Sequence, residues 1–175
     1  MLKEKFASQF DFLRAKAPPL LGVDISSSYI KMVEIAENGK GTYRIERYAI
    51  EPLAKDGNIA NIEAAGEAMT RAWKAMNTRV KNVALALPAA AVITKKVLLS
   101  GNQREEDMEY QVQSEANQYI PFSLDEVNLD FQVLGPAPNA ATDSNEVEVL
   151  IAASRKEKIE DRVAVAEAAG LKALV

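Results

Sequence analysis

The 175-residue chain contains no cysteine and no histidine. Without cysteine there is no disulfide framework, no thiol nucleophile and no thiolate zinc site. Without histidine, a Ser-His-Asp triad and imidazole metal sites are excluded as well. An excess of positive charge is also missing: 21 basic against 25 acidic side chains leave a net charge of −4 and no global field to draw in nucleic acid. Long apolar runs are absent. The longest, residues 85–93, is interrupted by Pro88 and far too short to span a bilayer. Residues 1–16 carry Lys3, Glu4, Lys5, Asp11, Arg14 and Lys16, so no apolar signal-peptide core opens the chain. These features predict a cytoplasmic protein. Its chemistry must rest on carboxylates, lysines, hydroxyls, backbone amides and a hard cation such as magnesium.

What is present is ordinary globular material, 48% apolar and 26% charged, enough for one domain or two small subdomains sharing a core. Leu2, Phe6, Phe10 and Leu13 follow helical spacing before Pro18-Pro19. This arm, 1–19, suits a helix folded back on the domain, a frayed end, or an amphipathic contact with a membrane or partner. Strands are predicted at 20–25, 29–36 and 43–50, with Asn38-Gly39 and Asp56-Gly57 as turns. Ile62, Ala65, Met69, Ala72, Trp73 and Met76 lie on one face of a helix, with Trp73 read as core. Strands at 83–87 and 91–99 follow, the Lys95-Lys96 pair reading as a solvated edge. A helix at 104–119 has Met108, Val112, Ala116 and Tyr119 on one side and ends before Pro121.

Val127, Leu129, Phe131 and Val133 alternate with polar residues in a half-buried strand, 127–133. Residues 135–145 read as a surface loop, and 147–151 as the antiparallel partner strand. A last helix carries Ile159, Val163 and Ala166, with Gly170 as its cap, and a strand begins at 171. An apolar segment so close to the end suggests a domain cut short. The order (three strands, helix, two strands, helix, two strands, helix, strand) is α/β with mixed or largely antiparallel sheets.

One segment concentrates chemistry: GVDISSSYIK, residues 22–31. Asp24 stands at the end of a buried strand, Ser26, Ser27 and Ser28 fill a tight turn, and Lys31 opens the next strand. Turn amides and small hydroxyls can donate to phosphate oxygens. A carboxylate can hold hydrated magnesium, and a lysine supplies a compact charge. An ordinary hairpin with serines at its tip fits the same residues.

The pattern G-V-D-I-S-S-S-x-I-K-x-V-E resembles the first phosphate loop of the actin, heat-shock ATPase and sugar-kinase superfamily. LLGVDISSSYIKMVEI, YRIERYAIEPL, AVITKKV, SEANQYIPFSLDEVNLDFQVLGP and VEVLIAASRKEKIEDRVAVAEAAGL narrow the likeness to the PilM family. These are actin-like, FtsA-related proteins of type IV pilus assembly, and the likeness covers 20–175. It implies an actin-like, FtsA-like amino-terminal region: a mixed-sheet core subdomain at 20–87, a small inserted αβ subdomain at 88–154, and a return helix and strand at 155–175. It implies that Asp24 serves Mg2+ through water, that Ser26, Ser27 and Ser28 serve the phosphates of ATP, and that Lys31 supplies charge to them. Family members carry a second half that closes this site, so the chain alone is expected to bind no cofactor.

The implied role is assembly, without a catalytic residue. The partner is the cytoplasmic amino-terminal peptide of the membrane protein PilN, docked in a groove between core and insert. Tyr119, Ile120, Pro121 and Phe122 are the candidates for its wall. The membrane is reached only indirectly through PilN, at the inner face of the inner membrane, with pilus motor and platform proteins as further partners. The alternatives are a phosphotransferase or ATPase of the same superfamily, or an FtsA-like division protein. For an enzyme Glu34 and Asp130 are the available carboxylates, and exposure on strand faces explains both more simply.

Overall fold

The structure of the protein, a computed structural model, describes residues 18–39, 41–53, 59, 61–138 and 144–175. The helix read at the amino terminus and the Asp56-Gly57 turn lie outside the described residues. Among the described residues the order is β1 (Leu21–Ile25), β2 (Tyr29–Glu37), β3 (Tyr43–Pro52), α1 (Ile62–Met76), β4 (Asn82–Ala86), β5 (Ile93–Ser100), α2 (Glu105–Tyr119), β6 (Val127–Pro136), β7 (Glu146–Arg155), α3 (Lys156–Ala168) and β8 (Lys172–Ala173). The chain divides into two compact units, residues 1–86 with 162–175, and residues 87–161.

The first unit is built on a five-stranded sheet in the order β3-β2-β1-β4-β8. β1 runs antiparallel to β2 and parallel to β4, so the sheet is mixed. Strand alternation sends Leu21, Val23, Ile25, Ile30, Met32 and Val83 to one face, where each is buried. α1 and the later turns of α3 cover that face, contributing Ala65, Met69, Ala72, Val165 and Ala166 to the same core. Asn61 starts α1 by accepting from the Ala64 N–H at 3.1 Å, and Asn77 ends it in the left-handed conformation, φ 49°. Trp73 is half-buried on this core, its indole N–H donating to the Val80 carbonyl at 2.8 Å. α3 stops in a Schellman arrangement: Gly170, at φ 69°, donates to Glu167 O, and Leu171 N donates to Ala166 O.

The second unit is an antiparallel three-stranded sheet, β5-β7-β6, with its own core. Val97, Leu99, Val127, Val149, Ile151 and Ala153 pack against Met108, Val112 and Ala116 of α2. The Ser154 hydroxyl donates to Ala91 O at 2.8 Å, tying β7 to a short 3-10 turn at Ala89–Ala91. That turn delays β5 to Ile93, two residues later than its sequence suggested.

The stretch 135–145 is not all loop. β6 continues to Pro136 and β7 begins at Glu146, because a bulge at Val133/Gly135 absorbs Leu134 and lets pairing resume. Gly135 permits this at φ 144°. Pro136 is tolerated because it ends an edge strand.

Candidate functional site

The hairpin of β1 and β2 sets Asp24 directly opposite Lys31, and Ile25 opposite Ile30. The odd-numbered β1 residues are committed to the core, so Asp24 must emerge on the other face of the sheet, opposite the described helices. Lys31 emerges beside it, and Nζ lies 3.1 Å from Asp24 Oδ2, both side chains about half exposed. The turn between them is fixed by its own first serine. Ser26 Oγ donates to Tyr29 O at 2.9 Å and accepts from Tyr29 N at 3.1 Å, while Ser26 N also donates to Tyr29 O. Ser27 and Ser28 are exposed at the tip, and Ser28 O accepts from Leu53 N at 2.9 Å, which ties the turn to the end of β3.

The hairpin therefore gathers one carboxylate, one ammonium and three hydroxyls within a few residues. These groups fit one side of a magnesium–phosphate site. Their ion pair is exposed, is worth about 0–1 kcal/mol, and so presents little obstacle to Lys31 turning towards an anion. Among the described residues no three acidic side chains cluster as a metal cage. Asp24 is suited to water-mediated contact with a cation that keeps most of its own hydration.

A second cluster forms where α2 ends. Tyr119 and Phe122 are 43% and 39% exposed, and Pro121 is exposed between them. Ile120 instead turns inward and is 7% exposed in the core of its unit, so the outward surface here is Tyr119, Pro121 and Phe122. Lys95 Nζ stands 4.4 Å from the centroid of the Tyr119 ring, and the Arg155 guanidinium 5.5 Å from that of Phe122. Arg155 also donates to Glu157 at 2.8 Å. A hydrogen bond from Lys158, with the charges of Arg155 and Lys158, holds the Glu157 carboxyl below the usual range.

Over residues 22–175 the sequence matches the family described as type IV pilus assembly protein PilM. The chain belongs to the PilM family. A solved PilM-PilN type IV pilus biogenesis complex is similar at 30% identity and a TM-score of 0.75, covering 90% of this chain and 46% of that one. The chain thus spans about half the length of that PilM relative. The cytoplasmic domain of EpsL, an inner-membrane component of the Vibrio cholerae type II secretion system, shares the fold at 13% identity and a TM-score of 0.55. That likeness covers 88% of this chain and 54% of EpsL's. The fold is therefore the actin-like one of PilM, and the family's work is type IV pilus assembly.

Within this PilM-family chain, the sequence reading passed over Arg155 and took Lys95, with Lys96, for a solvated edge, whereas Lys95 stands over the Tyr119 ring. Strand parity carried the signal. Lys95 shares alternation with the buried Val97 and Leu99, and Arg155 with Val149, Ile151 and Ala153, so both cations lie on the helix-covered face at its ends. Of the two carboxylates weighed for catalysis, Glu34 is paired with Arg47 at 3.0 Å, and Asp130 accepts the Phe131 N–H at 2.8 Å. No helix among the described residues is long and apolar enough to cross a membrane.

Proposed function

We propose that this PilM-family chain acts by binding rather than by catalysis. It holds the cytoplasmic amino-terminal peptide of a PilN-type membrane protein, and so couples a membrane component of the pilus machine to cytoplasmic motor and platform proteins. The observation that carries this reading is the 30% identical PilM of a solved PilM–PilN complex, similar over 90% of the chain. The exposed rings of Tyr119 and Phe122 support it, because aromatic anchors contribute most of the affinity when a short apolar segment orders on a surface. Lys95 and Arg155 add donors for the backbone carbonyls or acidic side chains of such a peptide. Residence at the inner face of the inner membrane follows from attachment to PilN.

In an intact protein with both halves, Asp24, Ser26, Ser27, Ser28 and Lys31 form the phosphate side of an Mg–ATP site. Fluorescence anisotropy of a labelled PilN amino-terminal peptide against the folded chain tests the reading. Saturable binding that a scrambled peptide does not reproduce supports it. A folded chain with no saturable binding rejects it.

A further inference from the structure

Strand β3 lies at one end of the five-stranded sheet, and among the described residues no strand pairs with its outer edge. It is ten residues long. Edges of that length are normally blunted by bulges, lysines or prolines, because their free N–H and C=O groups can accept another strand. Here the bulge at Glu46 and the terminal Pro52 leave between them a regular run, Arg47 to Glu51, that carries no lysine and pairs with β2 in unbroken register. On it Tyr48 and Ile50 are 71% and 59% exposed, on the face opposite the described helices, whereas Ala49 is buried in the core on the helix side. Arg47 and Glu51 share the side of Ala49.

This run is self-complementary. In an antiparallel pair of identical strands related by a two-fold axis, directly opposed residues point to the same side of the sheet, so the axis must pass through a residue and not between two. With the axis at Ala49, Arg47 faces Glu51 of the second copy, and Tyr48 faces its Ile50; symmetry repeats both pairs. An axis one residue to either side sets Arg47 or Glu51 against Ala49 instead. Opposite charges, and an aromatic ring set against a β-branched side chain, are the favourable cross-strand pairs. Internal contacts already hold the charges in place: Arg47 pairs with Glu34 at 3.0 Å, and Glu51 with Arg71 of α1 at 2.6 Å. Joining the two edges therefore lines up Glu34, Arg47, Glu51 and Arg71 in alternating sign, twice over.

We propose that β3 docks on β3 of a second copy of this chain, antiparallel about Ala49, joining the two five-stranded sheets edge to edge. The contact is small, so the dimer is weak and depends on protein concentration. It shares no residue with the aromatic pair proposed to hold the peptide.

Charge reversal tests the register directly. Sedimentation velocity on the 175-residue chain should show a monomer–dimer equilibrium. Arg47→Glu sets a glutamate against Glu51, and Glu51→Arg sets an arginine against Arg47, so each variant alone should dimerise about ten-fold more weakly. Mixed in equal amounts, the two should dimerise as tightly as the native chain, because both cross-strand pairs are again opposite in sign. Recovery on mixing also shows that both variants fold. A second measurement uses the absence of cysteine. A tagged Tyr48→Cys chain and an untagged Ile50→Cys chain, oxidised mildly together, should form the mixed disulfide faster than either forms its own. A native chain that stays monomeric at its highest soluble concentration overturns the proposal. So does a dimer that neither reversal weakens, which puts the contact on another surface. Loss that mixing does not restore, with no preference for the mixed disulfide, overturns it too and leaves the edge to a strand of a different protein.

Discussion

Replacing Gly66 with alanine sets a local preference against a packing constraint, and the structure indicates which prevails. Gly66 is buried in α1, where an added Cβ would lie 2.7 Å from the Ala168 Cβ of α3 and 3.6 Å from Val165 O. By helix propensity alone the change stabilises by about 1 kcal/mol. Two carbons need about 3.5–4.0 Å, however, so α1 and α3 must separate by about 1 Å. The neighbouring methyl is fixed to its own backbone and cannot swing aside. Separation would loosen Ala65, Met69, Val165 and Ala166, all fully buried, at a cost of about 1–3 kcal/mol. The net effect is a loss of about 0–2 kcal/mol. Ala168→Gly alone costs up to about 1 kcal/mol in propensity, but it reopens the gap. The double variant should therefore be more stable than the sum of the two single changes implies, by about 1–3 kcal/mol. Trp73, the chain's sole tryptophan, sits on this core, so urea unfolding followed by its fluorescence reports on the right unit. With a slope of about 1–3 kcal/mol per molar urea, each kilocalorie moves the midpoint by about 0.3–1 M. A Gly66→Ala midpoint raised to the level that propensity alone gives, with no coupling to Ala168, would refute the packing argument.

The hairpin pair gives a contrast, since Asp24→Asn or Lys31→Met should change stability by less than about 1 kcal/mol in the same assay. In a PilM protein carrying both halves, Asp24→Ala should weaken magnesium-dependent ATP binding measured by calorimetry. The 175-residue chain alone should show no binding, because a few exposed contacts worth about 0–1 kcal/mol each cannot offset an association cost of about 4–15 kcal/mol; micromolar affinity there contradicts the half-site reading. Tyr119→Ala and Phe122→Ala should each weaken the PilN peptide by about 1–2 kcal/mol, roughly 5–30-fold in anisotropy titrations, while Ile120→Ala should chiefly lower stability because it empties a core position. Acid should act at the start of α2, where a hydrogen bond from Arg104 and its charge hold the Asp107 carboxyl below its ordinary value. The pair's contribution is thus full above the unfolded carboxyl's pKa and lost as pH falls through the lower folded value. The difference in urea midpoint between native and Arg104→Gln chains should shrink over that acid window, and a difference independent of pH contradicts the assignment.

Elements with a strong period were legible because one face of each had no alternative to burial. Val127, Leu129, Phe131 and Val133 alternate without interruption, and Met108, Val112 and Ala116 recur once per helical turn. Legibility failed where the period breaks for a local reason. In β2 and β3 the register shifts between Glu34 and Ile35, and Glu46 becomes the extra residue. In β6 the bulge around Leu134 hides three further residues of strand behind a glycine and a proline, which read as loop. A single-residue bulge inverts parity beyond it, so an alternation test must lose the strand there even though its hydrogen-bonded ladder resumes.

The same reasoning separates the two parts of the candidate site. Asp24 and Lys31 flank the serine turn, and their pairing follows from counting outward from the bond between Ser27 and Ser28, so the ion pair was implicit in the spacing. The wall at the end of α2 could not be read that way, because four consecutive residues leaving a helix do not share a face. Ile120 takes the inward direction, its N–H still bonded to Ala116 O at 2.9 Å, and this throws Tyr119 and Phe122 to the outside. Their cations come from strands 24 and 33 residues away in sequence, Lys95 to Tyr119 and Phe122 to Arg155, brought there only by the β5-β7-β6 order. A site assembled within one hairpin can be read along the chain, whereas one assembled across a sheet requires the topology first. The aromatic pair and its two cations belong to the second kind, and the register that buries Val149 and Ile151 also aims Lys95 and Arg155 at the rings.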